Sequence, residues 1–351
     1  MSKRFLAAAC AAATALALSA CSSAPSSEGN ASKDGTLTVM ASFYPLQYLV
    51  EKIGGEHVTV TSLTPAGAEP HDLELSPKTV DALASADAVV YLAGFQAAVD
   101  EAIEQQAPTT VIDVSSAAQL VAIDSTSNHP GEDEGTDEAQ SGEAQSGKAQ
   151  SGEAADHDHE GHEHEGHDHE HADHDHHHDM SMDPHFWLDP ARMANAATLV
   201  GDKLAEADPT NAETYKANAQ ALNKELTSLG DNLVTKTSTC QIKTFVTAHT
   251  AFGYLADRTG LTQVGISGLD PESSPSPARL AEIGKIAKDQ GVTTIFTEAL
   301  IDPKVAQTLA DDLGISTAVL DPIESQTDSS KDYAAVMNDN IDALTKANNC
   351  Q

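Results

Sequence analysis

Basic residues are scarce in this chain: 19 Lys and Arg stand against 54 Asp and Glu in 351 residues, a formal net charge of −35. With no basic stripe to neutralise phosphates, nucleic acid is excluded as a partner. Long apolar runs are almost missing as well. The one at residues 5–18 falls far short of the roughly 20 residues that span a bilayer, and no other segment approaches that length. Tryptophan occurs once, at Trp187, and cysteine four times. The His-Glu-x-x-His pattern of zinc hydrolases is absent, and no other motif that would position a substrate for catalysis replaces it.

What is present begins at the start. Lys3 and Arg4 precede the apolar run, so residues 1–20 read as a signal peptide. The run ends Leu18-Ser19-Ala20-Cys21, which resembles a bacterial lipobox, in which the Cys becomes the lipid-modified first residue of the mature protein. Residues 21–35 are polar and suit a lipid tether. Cys10 leaves with the leader, so Cys240 and Cys350 are the remaining thiols. In an exported chain such a pair invites a disulfide, worth up to about 4 to 5 kcal/mol for a loop of this size; two free thiols are the other reading.

Residues 157–178 hold eleven histidines interleaved with Asp and Glu. Imidazole is the commonest ligand for borderline cations, and the carboxylates raise local cation concentration, so metal capture is the first functional hypothesis. The surrounding insert, 125–180, contains a repeated Ala-Gln-Ser-Gly spacer and lacks apolar residues for a core, so it is expected as a disordered loop with several weak sites. Residues 131–183 carry eighteen acids and one base, so about half of the net charge resides there and the remainder is only moderately acidic.

Elsewhere the pattern alternates strand and helix. Strands are expected at 36–41, 57–63, 88–92 and 110–114, with helices at 46–53, 77–84 and 95–105. After helices at 190–207 and 211–233 the alternation resumes: strands at 243–247, 262–266, 292–297 and 315–320, and helices at 249–258, 277–290, 303–313 and 332–344. This predicts an α/β protein of two Rossmann-like lobes with parallel sheets, joined by a long rigid helix. The boundaries read 36–205 for the N-terminal lobe with its insert, 206–236 for the linking helix and 237–351 for the C-terminal lobe.

In parallel sheets ligands gather beyond the carboxyl ends of strands. His71 and His249 follow expected strands, the segment Asp321-Pro322-Ile323-Glu324 follows another, and His185 stands two residues before Trp187, whose bulk could wall a cleft. Three imidazoles and one carboxylate suit tetrahedral Zn²⁺, two from each half, so that metal would clip the lobes together.

The motifs Glu69-Pro70-His71-Asp72, Asp183-Pro184-His185-Phe186-Trp187-Leu188-Asp189-Pro190, 247–255 around His249, 265–272 and Leu320-Asp321-Pro322-Ile323-Glu324 together resemble the zinc-specific substrate-binding proteins of bacterial metal-uptake ABC transporters. The resemblance covers about residues 36–347 outside the insert. It implies a metal held between two lobes, delivery to a membrane permease, and His71, His185 and His249 as ligands. Glu324 suits one form of the family's fourth ligand and Asp321 another, so that position stays open here. Glu298 is read as structural or as a partner of a ligand. Manganese-binding relatives typically replace one histidine with a carboxylate, and a nitrogen-rich site places Zn²⁺ well above Mn²⁺; Cu²⁺ and Ni²⁺ also suit it. The expectation is a lipid-anchored, extracytoplasmic, monomeric zinc carrier and no enzyme, with a metal buffer or adhesin at the cell surface as the rival class.

Overall fold

The first sheet is built around a strand that has almost no exposed face. In β1 (Leu37–Ala41) only Thr38 is half-buried, as expected for a central parallel strand covered on both sides. The computed structural model describes residues 36–123 and 182–351. The leader, the tether with Cys21 and the 125–180 insert lie outside the described residues.

From β1 the chain continues through α1 (Tyr44–Gly54), β2 (Val58–Ser62), α2 (Pro77–Leu83), β3 (Ala88–Tyr91), α3 (Ala97–Gln106), β4 (Val111–Asp113) and a short α4 (Ser115–Ala118). Two long helices follow, α5 (Pro190–Ala207) and α6 (Ala212–Thr237). The second lobe repeats the first: β5 (Thr244–Thr247), α7 (Gly253–Thr259), β6 (Thr262–Gly265), α8 (Pro277–Gln290), β7 (Thr294–Thr297), α9 (Lys304–Leu313), β8 (Ser316–Val319) and α10 (Tyr333–Ala347). Every pairing between these strands is parallel. The orders are β2-β1-β3-β4 and β6-β5-β7-β8, so each sheet reverses direction beside its first strand and opens a crevice at the carboxyl ends there.

Local chemistry explains the helix starts. Ser76, Asp189 and Ser276 each accept a backbone N–H with a side-chain oxygen, and a proline occupies the first helical position after each. One expected helix begins late. Residues 249–252 are not helical, because His249 N–H donates to Glu298 and Thr250 N–H to the carbonyl of Gly268, which commits both amides to other elements.

Helix α6 has 26 residues, about 39 Å at 1.5 Å per residue. It packs on α1 and α5 and also meets α7 and α10 of the second lobe. Tyr215, Ala219, Leu222, Leu226, Leu229 and Leu233 form its buried stripe. One apolar core runs unbroken from Val39, Phe43 and Leu49 through Trp187 and Leu226 to Phe252, Tyr333 and Leu344. The lobes are therefore fused by packing before any cation is considered, and a metal would not be their sole clip. The outer face of each sheet carries a smaller core of its own. A disulfide joins Cys240, beyond α6, to Cys350, beyond α10. Among the described residues no helix is long and apolar enough to cross a membrane.

Candidate metal centre

His71 sits on the long loop after β2, His185 just before the turn at Phe186–Leu188, His249 two residues beyond β5, and Glu324 on the loop after β8. The two lobes contribute two residues each. Their ligand atoms all lie within 4.8 Å of one another. Glu324 Oε1 stands 3.3 Å from His185 Nε2, 3.4 Å from His249 Nε2 and 3.5 Å from His71 Nε2, and the Nε2 atoms of His71 and His185 are 3.2 Å apart. Ligands at about 2.0 to 2.1 Å from a tetrahedral Zn²⁺ stand about 3.3 Å from each other, so these four spacings are of the size that a zinc site requires.

Asp321, the other carboxylate open from the sequence, is not in this cluster. Its Oδ1 accepts Ile323 N–H at 2.8 Å, which turns it back into its own loop.

Each deep histidine is oriented by a carboxylate. Asp183 Oδ1 accepts both the backbone N–H of His185 (2.9 Å) and its Nδ1 (2.8 Å). Glu298 takes the backbone N–H of His249 at 3.1 Å and its Nδ1 at 2.7 Å. With the Nδ1 proton so committed, the Nε2 lone pair of each ring faces the cluster. Glu298 thus acts as the partner of His249. The matching role of Asp183 was not assigned from sequence, although its place two residues before His185 is the same short-range geometry that Glu69 adopts toward the backbone N–H of His71.

His185 and His249 are fully buried and Glu324 is 2% exposed, whereas His71 on its loop stays partly accessible. Among the described residues, His249 Nε2 and Glu324 Oε1 have no hydrogen-bond partner. Buried polar atoms without partners are costly and rare, and convergence on a cation gives them a purpose. The electrostatics agree. Burial pushes the His185 imidazole down, but Asp183 and then Glu324 outweigh it and hold its pKa above the ordinary value. At His249 burial is likewise overcome, by Glu298 and Glu324, and the pKa lies well above the usual range. Burial alone would raise Glu324; the three imidazoles around it instead hold it well below the usual carboxylate range. The metal-free cluster therefore sets an ionised Glu324 against His185 and His249, both of which hold their protons to a higher pH than usual.

Trp187 closes the floor. Its ring lies 5.2 Å from that of His185 and edge-on to Phe43 at 4.8 Å, and its Nε1–H donates to the carbonyl of Pro322, next to the Glu324 loop.

Comparisons with known proteins point the same way. The chain is 34% identical over 323 residues to the zinc-binding protein AdcA of Streptococcus pyogenes, covering 89% of this chain and 56% of that protein. It therefore spans little more than half the length of the AdcA proteins it matches. With the high-affinity zinc uptake system protein ZnuA of Bacillus subtilis it shares 31% identity over 336 residues, 94% of this chain and 93% of that one. The fold is similar to that of the laminin-binding adhesin of Streptococcus agalactiae, with a TM-score of 0.70, 28% identity, and coverage of 89% of this chain and 99% of that one. Residues 39–347, both lobes and all four clustered residues, match the model described as zinc-uptake complex component A, periplasmic, and the chain belongs to that family.

Proposed function

We propose that this protein captures Zn²⁺ outside the cytoplasm, holding it with His71, His185, His249 and Glu324, and delivers it to the permease of an ABC transporter. The observation that carries this reading is the convergence of four buried or half-buried ligand atoms, drawn from two lobes, within 4.8 Å of one another. Three imidazoles favour zinc over manganese. Four protein ligands fill the tetrahedron and leave no position for the water that a hydrolase activates, which supports a carrier. A pure surface metal buffer would need the histidine tract and little of this convergence. The tract at 157–178 is read as a collector that raises local zinc supply, and Cys21 as the lipid anchor of a monomer. Deleting the gene should stop growth under zinc chelation, and the intact gene, but not one lacking the ligands, should restore it. Equal growth of the deletion strain at every chelator concentration refutes zinc delivery.

Zinc capture should be proton-coupled. An imidazole Nε2 must be free of its proton to hold a cation, and the raised values at His185 and His249 keep protons there to a higher pH than usual. Affinity is therefore expected to climb with pH through and above about 6.5. In the metal-free chain those raised values add stability that is whole below about 6.5 and lost as pH rises through the folded values. The depressed value of Glu324 adds stability that is present above about 4.3 and lost as pH falls through its folded value. The rise in melting temperature on adding zinc should accordingly grow from mildly acid to alkaline pH. A flat increment across that range would remove the coupling.

The anchor is tested separately. Cys21→Ser should leave zinc affinity unchanged and move the protein from the membrane to the soluble fraction. If the variant still sediments with membranes after a salt wash, the anchor lies elsewhere.

A further inference from the structure

Each of the four loops that carry the clustered residues is gripped from behind by one buried, uncharged side chain. On the His71 loop, Gln96 Nε2 donates to Thr64 Oγ1 (3.0 Å) and to the carbonyl of Pro70 (3.1 Å), the residue before the histidine. Gln263 repeats the arrangement in the second lobe: its Nε2 donates to Thr247 Oγ1 (2.9 Å) and to the carbonyl of His249 itself (3.0 Å). The Tyr254 hydroxyl, on α7, reaches across to the first lobe, donates to the carbonyl of Asp183 at 2.7 Å and accepts the N–H of Val121 at 2.8 Å. Asn340, on α10, clasps Asp321 from both sides, its Nδ2 donating to the carbonyl at 2.7 Å and its Oδ1 accepting the N–H at 2.8 Å. All four side chains are between 1% and 3% exposed.

We propose that Gln96, Tyr254, Gln263 and Asn340 are positioning residues for the metal site, each fixing through a backbone carbonyl the loop that presents one ligand. This rests on the zinc-binding reading above. The choice of donor has a reason. A lysine or arginine could grip the same carbonyls, but its charge would be buried at a cost and would repel the cation; a neutral amide or phenol gives the hydrogen bond without the charge. The grip matters most at Glu324. Its Oε1 stands 3.3 to 3.5 Å from the three imidazoles and has no hydrogen-bond partner among the described residues, so its place is set through its backbone. Directly before it, Ile323 has φ of 57°, a left-handed conformation that β-branched residues rarely adopt. The bond from Ile323 N–H to Asp321 Oδ1 and the Asn340 clasp on Asp321 hold that turn, which presents Glu324 to the histidines and faces Asp321 away.

The test uses near-isosteric variants of the full chain: Tyr254→Phe, Asn340→Leu, Gln96→Met and Gln263→Met. Each is loaded with one equivalent of Co²⁺, whose visible absorption reports coordination geometry. Zinc affinity is measured by chelator competition and thermal melting without metal. Each folded variant is expected to lose about tenfold in zinc affinity, the low end for partners outside the ligand shell, and to shift the Co²⁺ spectrum. If Asn340→Leu does not fold, Asn340→Ser, which keeps one hydroxyl donor, takes its place with a smaller expected loss. Folded variants with lowered melting temperatures but a native Co²⁺ spectrum and affinity within twofold of the parent would overturn the proposal, since that is what a purely structural role produces. A parent chain that binds no single zinc tightly would instead remove the zinc reading, an outcome distinct from any result with the variants.

Discussion

His249→Ala is expected to lower zinc affinity by more than 100-fold with the fold intact. Loss of a partner outside the ligand shell typically costs about 10- to 100-fold, and this change removes a ligand itself. It also leaves the buried Glu298 carboxylate without the ring that it orients. His185→Ala removes a ligand in the same setting with Asp183, and His71→Ala removes one from a more accessible loop, where water reaches the gap more readily. Glu324→Ala should cost less than either buried histidine, because water replaces a carboxylate oxygen more easily than an imidazole. Glu298→Gln, which keeps the ligand and weakens its partner, should fall in the 10- to 100-fold range. Competition with a chelator of known affinity at one equivalent of zinc gives these values. Native affinity in His249→Ala or His185→Ala would withdraw the ligand assignment.

Trp187→Ala should be the most destabilising single change outside the ligands, by about 3 to 5 kcal/mol, the usual range for removing a fully buried large aromatic. The ring is inaccessible, packs against Phe43, Phe95 and Phe186, and lies where the two lobes share their core. Its backbone carbonyl accepts the Tyr333 hydroxyl and its Nε1–H donates to Pro322, both from the second lobe. Trp187→Phe keeps most of the apolar volume but leaves the Pro322 carbonyl without its donor, so about 1 to 3 kcal/mol is expected. Urea unfolding of the metal-free chain followed by circular dichroism measures both, since the only tryptophan is lost as a fluorophore. A loss below about 1 kcal/mol for Trp187→Ala would show that the lobes are held together elsewhere.

Much of the architecture was legible because its signals are local. The spans Pro190–Ala207 and Pro277–Gln290 are bounded by side chains that cap their first turns and by an Asp-Pro or glycine stop directly after their last residues, so their limits can be read without knowing what they pack against. The buried stripe of α6 follows the same logic, since helical spacing alone groups Tyr215, Ala219, Leu222 and Leu226. The start of α7 was misplaced because the amides of His249 and Thr250 bond to residues 49 and 18 positions away, and no local pattern reports that. The site divides in the same manner. Histidines beyond strand ends, in motifs of recognisable type, mark candidate ligands, whereas the choice between Asp321 and Glu324 depends on which of two carboxylates the loop turns inward.

Side-chain periodicity, capping residues and donor type are properties of short stretches, so the alternation of strand and helix, the two-lobed plan and the candidate donors can be read from the residues alone. Which atoms meet depends on how the elements pack. The pairing of His249 with Glu298, the seating of Trp187 in a core common to both lobes, and the grip of Tyr254 and Asn340 on distant carbonyls all join residues remote in the chain. The backbone groups they engage are the same at every position, so nothing in the residue types announces the partner; it is set by how the sheets and helices pack, and that packing brings four candidate ligand atoms within 4.8 Å of one another.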